Sequence, residues 1–334
     1  MLDCINLLPN SWQINLIHWP INSEAPFQFK FSNNVKTYDR DEFSGQELSK
    51  FISAAQPDVV LVSGWIDKGY LKALNNQPSI KKRVLMMDTA WKGSVKQKVA
   101  LLGLKPLIKG LFSHAFVSGK PQALYARKLG LRSEAIHLGY YSADFDHFNA
   151  IYTKRKTSQS KNKVLYLGRY VKHKGIFELW QAFAEIIKEN HNLQHWELVC
   201  AGTGDQWQNR IEHPNIKHLG FLQPNEMEPV LLDTSIYILP SHFEPWGVSV
   251  HEMAAAGFPL LLSEEVGSKE AFLEEGKNGF SFPAKNILAL KASLLKMMQL
   301  PEDELQEMGS HSNKLAQKIT PQKWVETIQS ILED

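Results

Sequence analysis

The sequence predicts an α/β protein built of two doubly wound domains with parallel sheets. Short apolar runs recur along the chain, each followed by small or polar residues and then a helical stretch; the runs fall into two sets; and a polar, basic segment separates the sets. Near-continuous apolar strands that alternate with helices mark buried parallel sheets joined by right-handed crossovers. A length of 334 residues suits two domains, at about 150 residues apiece.

The first set of runs is Ile14–Ile17, Asp58–Val62, Arg83–Met87 and Ala115–Val117, assigned to an N-terminal domain over residues 1–152. Residues 153–162 are polar, basic and without apolar periodicity, which predicts a linker. The second set is Val164–Leu167, Trp196–Cys200, Ile236–Leu239 and Pro259–Leu262, in a C-terminal domain over residues 163–319. In the tail, 320–334, Thr320 reads as a helix N-cap and Pro321 as the first helical position. Trp324, Ile328 and Ile331 then share one face, and this helix is expected to pack back on the N-terminal domain.

Composition narrows the classes. Hydrophobic residues make up 43% and charged residues 22%, as in an average globular protein and unlike a disordered chain or a fibre. Apolar runs such as Val99–Leu102 fall far short of the ~20 residues that span a bilayer. Met1–Asn6 shows no basic region leading into an apolar stretch, and Cys4 and Cys200 are too few for a disulfide framework. The expectation is a cytoplasmic protein. Residues 1–162 hold 22 Lys and Arg against 12 Asp and Glu, whereas residues 163–334 hold 15 against 23. No acid lies between Asp88 and Glu134, so the first half offers a basic surface to an anionic partner. Within it, Val95–Phe112 sets Lys96, Lys98, Lys105 and Lys109 among Val99, Leu101, Leu102, Leu107, Ile108 and Leu111. That stretch suits peripheral contact with an anionic membrane face or a lipid-linked diphosphate; an ordinary amphipathic helix with solvated lysines is the other reading.

Ligands of doubly wound sheets bind beyond the carboxyl ends of the strands, so the residues after each run carry the chemistry, in a cleft between two such edges. The richest stretch is Pro240–Leu260. A helix starting near Gly247 would leave the amides of Val248 and Ser249 free for an anion, with Gly247 allowing close approach. Glu252 shares a face with Ser249 and can accept two hydrogen bonds from a vicinal diol. The plainer reading is a capping box, Ser249-x-x-Glu252, with Glu244 an exposed loop acid. No Cys/His cluster has zinc spacing, Gly202-Thr-Gly204 lacks the third glycine of a dinucleotide fingerprint, and aromatics do not interleave with the basic stretch as in a nucleic-acid binder. No metal and no nucleic acid are expected.

Glu244, Pro245, Gly247, Glu252, Gly257 and Pro259 match E-P-x-G-x-x-x-x-E-x-x-x-x-G-x-P, and Leu167–Gly175, Cys200–Gly204, His218–Leu222 and Gly276–Phe280 stand in order around it. In these motifs, across residues 163–283, the chain resembles the family-four retaining glycosyltransferases. The resemblance implies the GT-B fold, two Rossmann-like domains facing an interdomain cleft, the first holding acceptor and the second donor. It implies a metal-independent retaining transfer from a nucleotide-diphosphate sugar, a co-substrate with no further cofactor, to a glycan or lipid-linked acceptor, in cell-surface polysaccharide or glycolipid synthesis. Arg169 and Lys174 would grip the diphosphate, with Ser249 and the Gly247–Val248 backbone assisting. Glu252 would hold the ribose and Glu244 the donor sugar, while Gly168, Gly202, Gly204, Phe221 and Leu222 would border the nucleotide.

The first domain departs from the family pattern. No Gly-Gly loop precedes Gly45, and Met86-Met87-Asp88-Thr89 keeps Asp88 without the usual neighbouring His. His18 and Asp88 are acceptor-side candidates by strand-end position; a structural histidine and a helix N-cap aspartate are the alternatives. A nucleotide-sugar 2-epimerase of the same fold and a non-catalytic nucleotide-sugar binder are the rival functions.

Overall fold

The computed structural model describes residues 2–21, 26–156 and 161–334. They form two compact units: one of residues 2–20, 29–142 and 319–334, the other of residues 21, 26–28, 143–156 and 161–318.

In the first unit, β1 (Ile14–His18) and β2 (Val35–Asp39) make a parallel pair. A four-stranded parallel sheet holds β3 (Val59–Ser63), β4 (Lys82–Met87), β5 (His114–Val117) and β6 (Ile136–Leu138) in that order. β4 and β5 are the most deeply buried strands, because helices and loops cover both faces. The helix Pro321–Glu333 closes this unit. Thr320 caps it by accepting from the Lys323 amide, and Trp324, Ile328 and Ile331 bury against Cys4, Val84, Met86 and Phe116. The Trp324 indole donates to the Tyr140 carbonyl at 3.1 Å, which satisfies its one polar atom inside the core.

The second unit holds a six-stranded parallel sheet of β7 (Lys163–Leu167), β8 (Glu197–Ala201), β9 (Ile216–Gly220), β10 (Ile236–Leu239), β11 (Leu260–Ser263) and β12 (Gly279–Phe282). Its order is β12-β11-β10-β7-β8-β9. The chain starts in the middle at β7, builds outward to β9, then returns to lay β10 on β7's other side. That reversal makes the β7/β10 boundary a topological switch point, and the loops leaving the carboxyl ends of these two strands lie side by side.

Four strands, β2, β6, β9 and β12, are absent from the apolar runs of the sequence. All four stand at sheet edges. An edge strand keeps part of its surface in water, so β9 alternates buried and exposed residues and β2 is largely exposed. The expected domain boundary also moves. The predicted linker, 153–162, begins inside the helix Phe145–Arg155, and residues 157–160 lie outside the described residues. That helix belongs to the second unit because it packs on the helices Met227–Leu232 and Val248–Ala255. Phe148 and Ile151 bury there, and the Ala143 amide donates to His251 Nδ1 at 3.0 Å.

Candidate active site

The site grows from the loops after β7, β8 and β10. Gly168 and Arg169 follow β7, and a single 3-10 turn, Lys172–Lys174, leads through Gly175 into the helix Ile176–Glu189. Gly175 stands at φ +70°, and a Cβ there would lie 2.1 Å from the Pro240 carbonyl oxygen, so the turn presses on the end of β10. The loop after β8 is equally close. The Gly168 amide donates to the Ala201 carbonyl at 3.0 Å and the Tyr170 amide to the Thr203 carbonyl at 2.9 Å. A Cβ on Gly202, at φ +138°, would stand 1.9 Å from the Gly168 oxygen. Only glycine lets the two loops meet this way, which is what Gly202 does here.

The loop after β10 brings in Glu244. Its backbone is fixed at both ends: its amide donates to the Glu265 carbonyl at 3.2 Å, and its carbonyl accepts from Gly267 at 2.9 Å. Its carboxylate forms an ion pair with Lys174, both side chains mostly buried. Lys174 and Glu244 therefore hold each other at the seam between the loops after β7 and β10. Beside them, burial and then the Lys174 and Arg169 cations press the His173 imidazolium below its usual range, which places Arg169 in the same electrostatic neighbourhood. His242 donates its amide to the His173 carbonyl at 2.7 Å, and its ring lies 2.9 Å from Glu178.

The helix Val248–Ala255 opens on Gly247 at φ +94°, with no side chain capping it. The capping box Ser249-x-x-Glu252 does not form, because Ser249 stands one residue inside the helix rather than at its cap. Its hydroxyl instead accepts from Tyr237 at 2.8 Å. The amides of Val248 and Ser249, in the first turn, have no intrahelical acceptor, and the dipole leaves this end partly positive. Burial, first, and then the Glu244 and Glu252 carboxylates push the Tyr237 phenol up, so both glutamates lie around Tyr237. Tyr166 in β7, fully buried, donates to the Arg169 carbonyl at 2.8 Å.

Neither tyrosine belongs to a motif of the sequence. Each sits between aliphatic neighbours in a buried stretch of its strand, and a buried phenol needs a partner. For Tyr166 that partner is the Arg169 carbonyl in the loop beyond β7, and for Tyr237 it is the Ser249 hydroxyl in the first turn of the helix Val248–Ala255.

The remaining motifs divide. Phe221 and Leu222 follow β9, and Phe221 meets Phe27 edge-on at 5.0 Å, while Gln223 donates to the Pro26 carbonyl at 3.0 Å. The segment of residues 26–28 thus belongs with the Phe221 loop. Asn278, within Gly276–Phe280, is fully buried, donates to the Phe272 carbonyl and to Ser312, and accepts from the Glu274 amide. That motif ties β12 to its neighbours and stands outside the seam.

His18 and Asp88 lie in the other unit. His18 ends β1, with Nδ1 3.6 Å from Asp39 and 3.0 Å from the Trp19 carbonyl oxygen. Asp88 follows β4 and accepts from the Tyr141 hydroxyl at 3.3 Å. It is not a helix cap, since the next helix starts at Val95 with Ser94 capping it. Among the described residues no cluster of three His, Cys, Asp or Glu could hold a metal ion, and no helix is long and apolar enough to cross a membrane.

Comparison with known proteins agrees with this geometry. A family model described as glycosyl transferases group 1 matches residues 149–315, half of the chain. An uncharacterized glycosyltransferase of Methanocaldococcus jannaschii is 30% identical over 128 residues, 36% of this chain and 32% of that protein. The glycogen synthase of Mycobacterium tuberculosis is 28% identical over 158 residues, 45% and 37% respectively. The matched stretch thus spans about a third of these relatives' length. Among solved structures, Anabaena HepE with UDP and glucose superposes with a TM-score of 0.71 at 15% identity, covering 97% of this chain and all of that one. The structure of TarM gives 0.65 at 14%, covering 87% and 58%. At such identities these likenesses speak for the fold, which is GT-B. With half its length matched by the family model, the chain belongs to the glycosyl transferases group 1 family.

Proposed function

We propose that this protein transfers a sugar from a nucleotide-diphosphate sugar to a glycan or lipid-linked acceptor, with retention of configuration and without a metal. The observation that carries the reading is the Lys174–Glu244 pair beside the uncapped helix Val248–Ala255, at the switch point of the second sheet. A departing diphosphate gains negative charge as the glycosidic bond breaks. Arg169, Lys174 and the amides of Val248 and Ser249 offer fixed positive partners to that charge, and such preorganised partners stabilise the transition state most. Glu252 accepts from the ribose diol, and Glu244, steadied by Lys174, accepts from hydroxyls of the donor sugar. In a same-face displacement the acceptor oxygen bonds to the anomeric carbon as the diphosphate leaves, and a donor phosphate oxygen takes the acceptor's proton. No protein base is then needed. Among the relatives, the N,N'-diacetylbacillosaminyl-diphospho-undecaprenol transferase of Campylobacter jejuni, 27% identical over 206 residues, supports a lipid-linked acceptor and a role in glycolipid or cell-surface polysaccharide synthesis. Cys4 and Cys200, both buried and neither in a disulfide, fit a cytoplasmic setting.

The test is thermal stabilisation by UDP, GDP, ADP, CMP and dTDP, with Glu252→Ala as control. A nucleotide at 100 times its dissociation constant adds about 2.7 kcal/mol. The expected result is one diphosphate that stabilises the wild type and not the variant. With the matching donor and an acceptor, Arg169→Ala and Glu252→Ala should each slow transfer roughly 30- to 1000-fold. Turnover of donor without acceptor would favour an epimerase, and no stabilisation by any nucleotide would overturn the reading.

A further inference from the structure

The helix Val95–Leu111 divides its apolar residues between two opposite faces. Inward, Ile108 and Leu111 are buried and Leu101 and Leu104 pack against the core of the first unit. Outward, Val95 is 76% exposed, Val99 61% and Leu102 81%. The outward residues follow a 4, 3 spacing that keeps them on one stripe, with exposed Pro106 continuing it four residues on. Lys98, Lys105 and Lys109 run along one side of the stripe and Lys96 lies on the other, all exposed. An ordinary surface helix puts apolar residues toward the core and polar ones toward water. Here the outer face is apolar at its centre and cationic at its margins, with no acid from Val95 to Leu111.

We infer that this face rests on an anionic phospholipid bilayer. Three aliphatic side chains and a proline would enter the headgroup boundary while the lysine stems lie along it and their ammonium groups meet lipid phosphates. Charge complementarity selects this occupant: four lysines and no carboxylate fit a negative surface. The inference is independent of the proposed transfer reaction, because no residue of the second unit enters it.

Flotation with vesicles of phosphatidylcholine alone, and of phosphatidylcholine with phosphatidylglycerol at a 7:3 ratio, tests it. The protein should float with the anionic vesicles only, and high salt should release it. Lys98→Gln and Lys105→Gln should each weaken partitioning about fivefold. Val99→Ser with Leu102→Ser should weaken it about tenfold or more while every lysine remains. Cys4 and Cys200 are buried, so Leu102→Cys offers an exposed thiol for an environment-sensitive dye. Its emission should shift to the blue on anionic vesicles and stay unchanged with heparin. Unaltered thermal midpoints and unaltered nucleotide stabilisation would show that the variants fold and that the donor site is untouched. Absence of flotation overturns the inference, as does flotation that the double serine variant leaves intact. A concentration-dependent dimer lost in that variant, without flotation, would assign the face to a second copy of the chain instead.

Discussion

Replacing Lys174 with methionine removes the cation and keeps most of the side chain's volume. The structure sets what this should cost. The Lys174 and Glu244 side chains retain 15% and 12% exposure, so the carboxylate left behind is mostly cut off from water. Stranding one member of a fully buried pair costs about 3–5 kcal/mol. The residual exposure lets some water reach Glu244, so we expect about 2–4 kcal/mol for Lys174→Met, with the unpaired charge as the cause. For a unit of this size that lowers the midpoint by about 5–15 °C. Glu244→Gln in the same chain removes the stranded charge, and the double variant should recover about 1.5–3 kcal/mol relative to additivity. Urea unfolding of the wild type, both single variants and the double variant closes the cycle. A Lys174→Met midpoint equal to the wild type's, or a double variant additive within about 0.5 kcal/mol, would refute the idea that the two residues hold each other.

Other perturbations test other parts of the molecule. Gly202→Ala places a Cβ against the Gly168 oxygen at a φ of +138°, so it should displace the loop that carries Arg169. The expected result is a loss of nucleotide stabilisation and a cost of about 1–3 kcal/mol; normal nucleotide binding would count against the close approach. Trp324→Ala should cost about 3–5 kcal/mol in chemical unfolding, because the indole is 3% exposed and its N–H partner at Tyr140 would be orphaned. His137, His173 and His218 all stand below the ordinary histidine value of 6.5, chiefly because burial disfavours the imidazolium. Between those folded values and 6.5 the unfolded chain binds more protons, so stability is fully present above pH 6.5 and falls as pH drops through it. Thermal midpoints at pH 7.5, 6.5 and 5.5 should decline in that order, and a flat profile would contradict it.

Legible from the residues alone were the α/β class, eight of the strands and the motif stretch from Glu244 to Pro259. Each is a local property: the central strands β4, β5, β7, β8, β10 and β11 are largely apolar because both faces are covered, and a loop-to-helix turn needs its glycine at Gly247 whatever surrounds it. The tail helix was legible for the same reason, since Thr320, Pro321 and the Trp324 stripe announce a start and a buried face within a dozen residues. The rest depends on contacts between segments far apart in the chain. The edge strands β2, β6, β9 and β12 lack a continuous apolar run because water covers part of them. The helix Phe145–Arg155 joined the second unit through its packing partners rather than its composition. Above all, Lys174 and Glu244 stand 70 residues apart, and nothing near either names the other. They meet because the chain reverses after β9 and sets β10 against β7. The outward face of Val95–Leu111 was equally hidden: periodicity gives a helix two faces, and burial alone says which one meets the core.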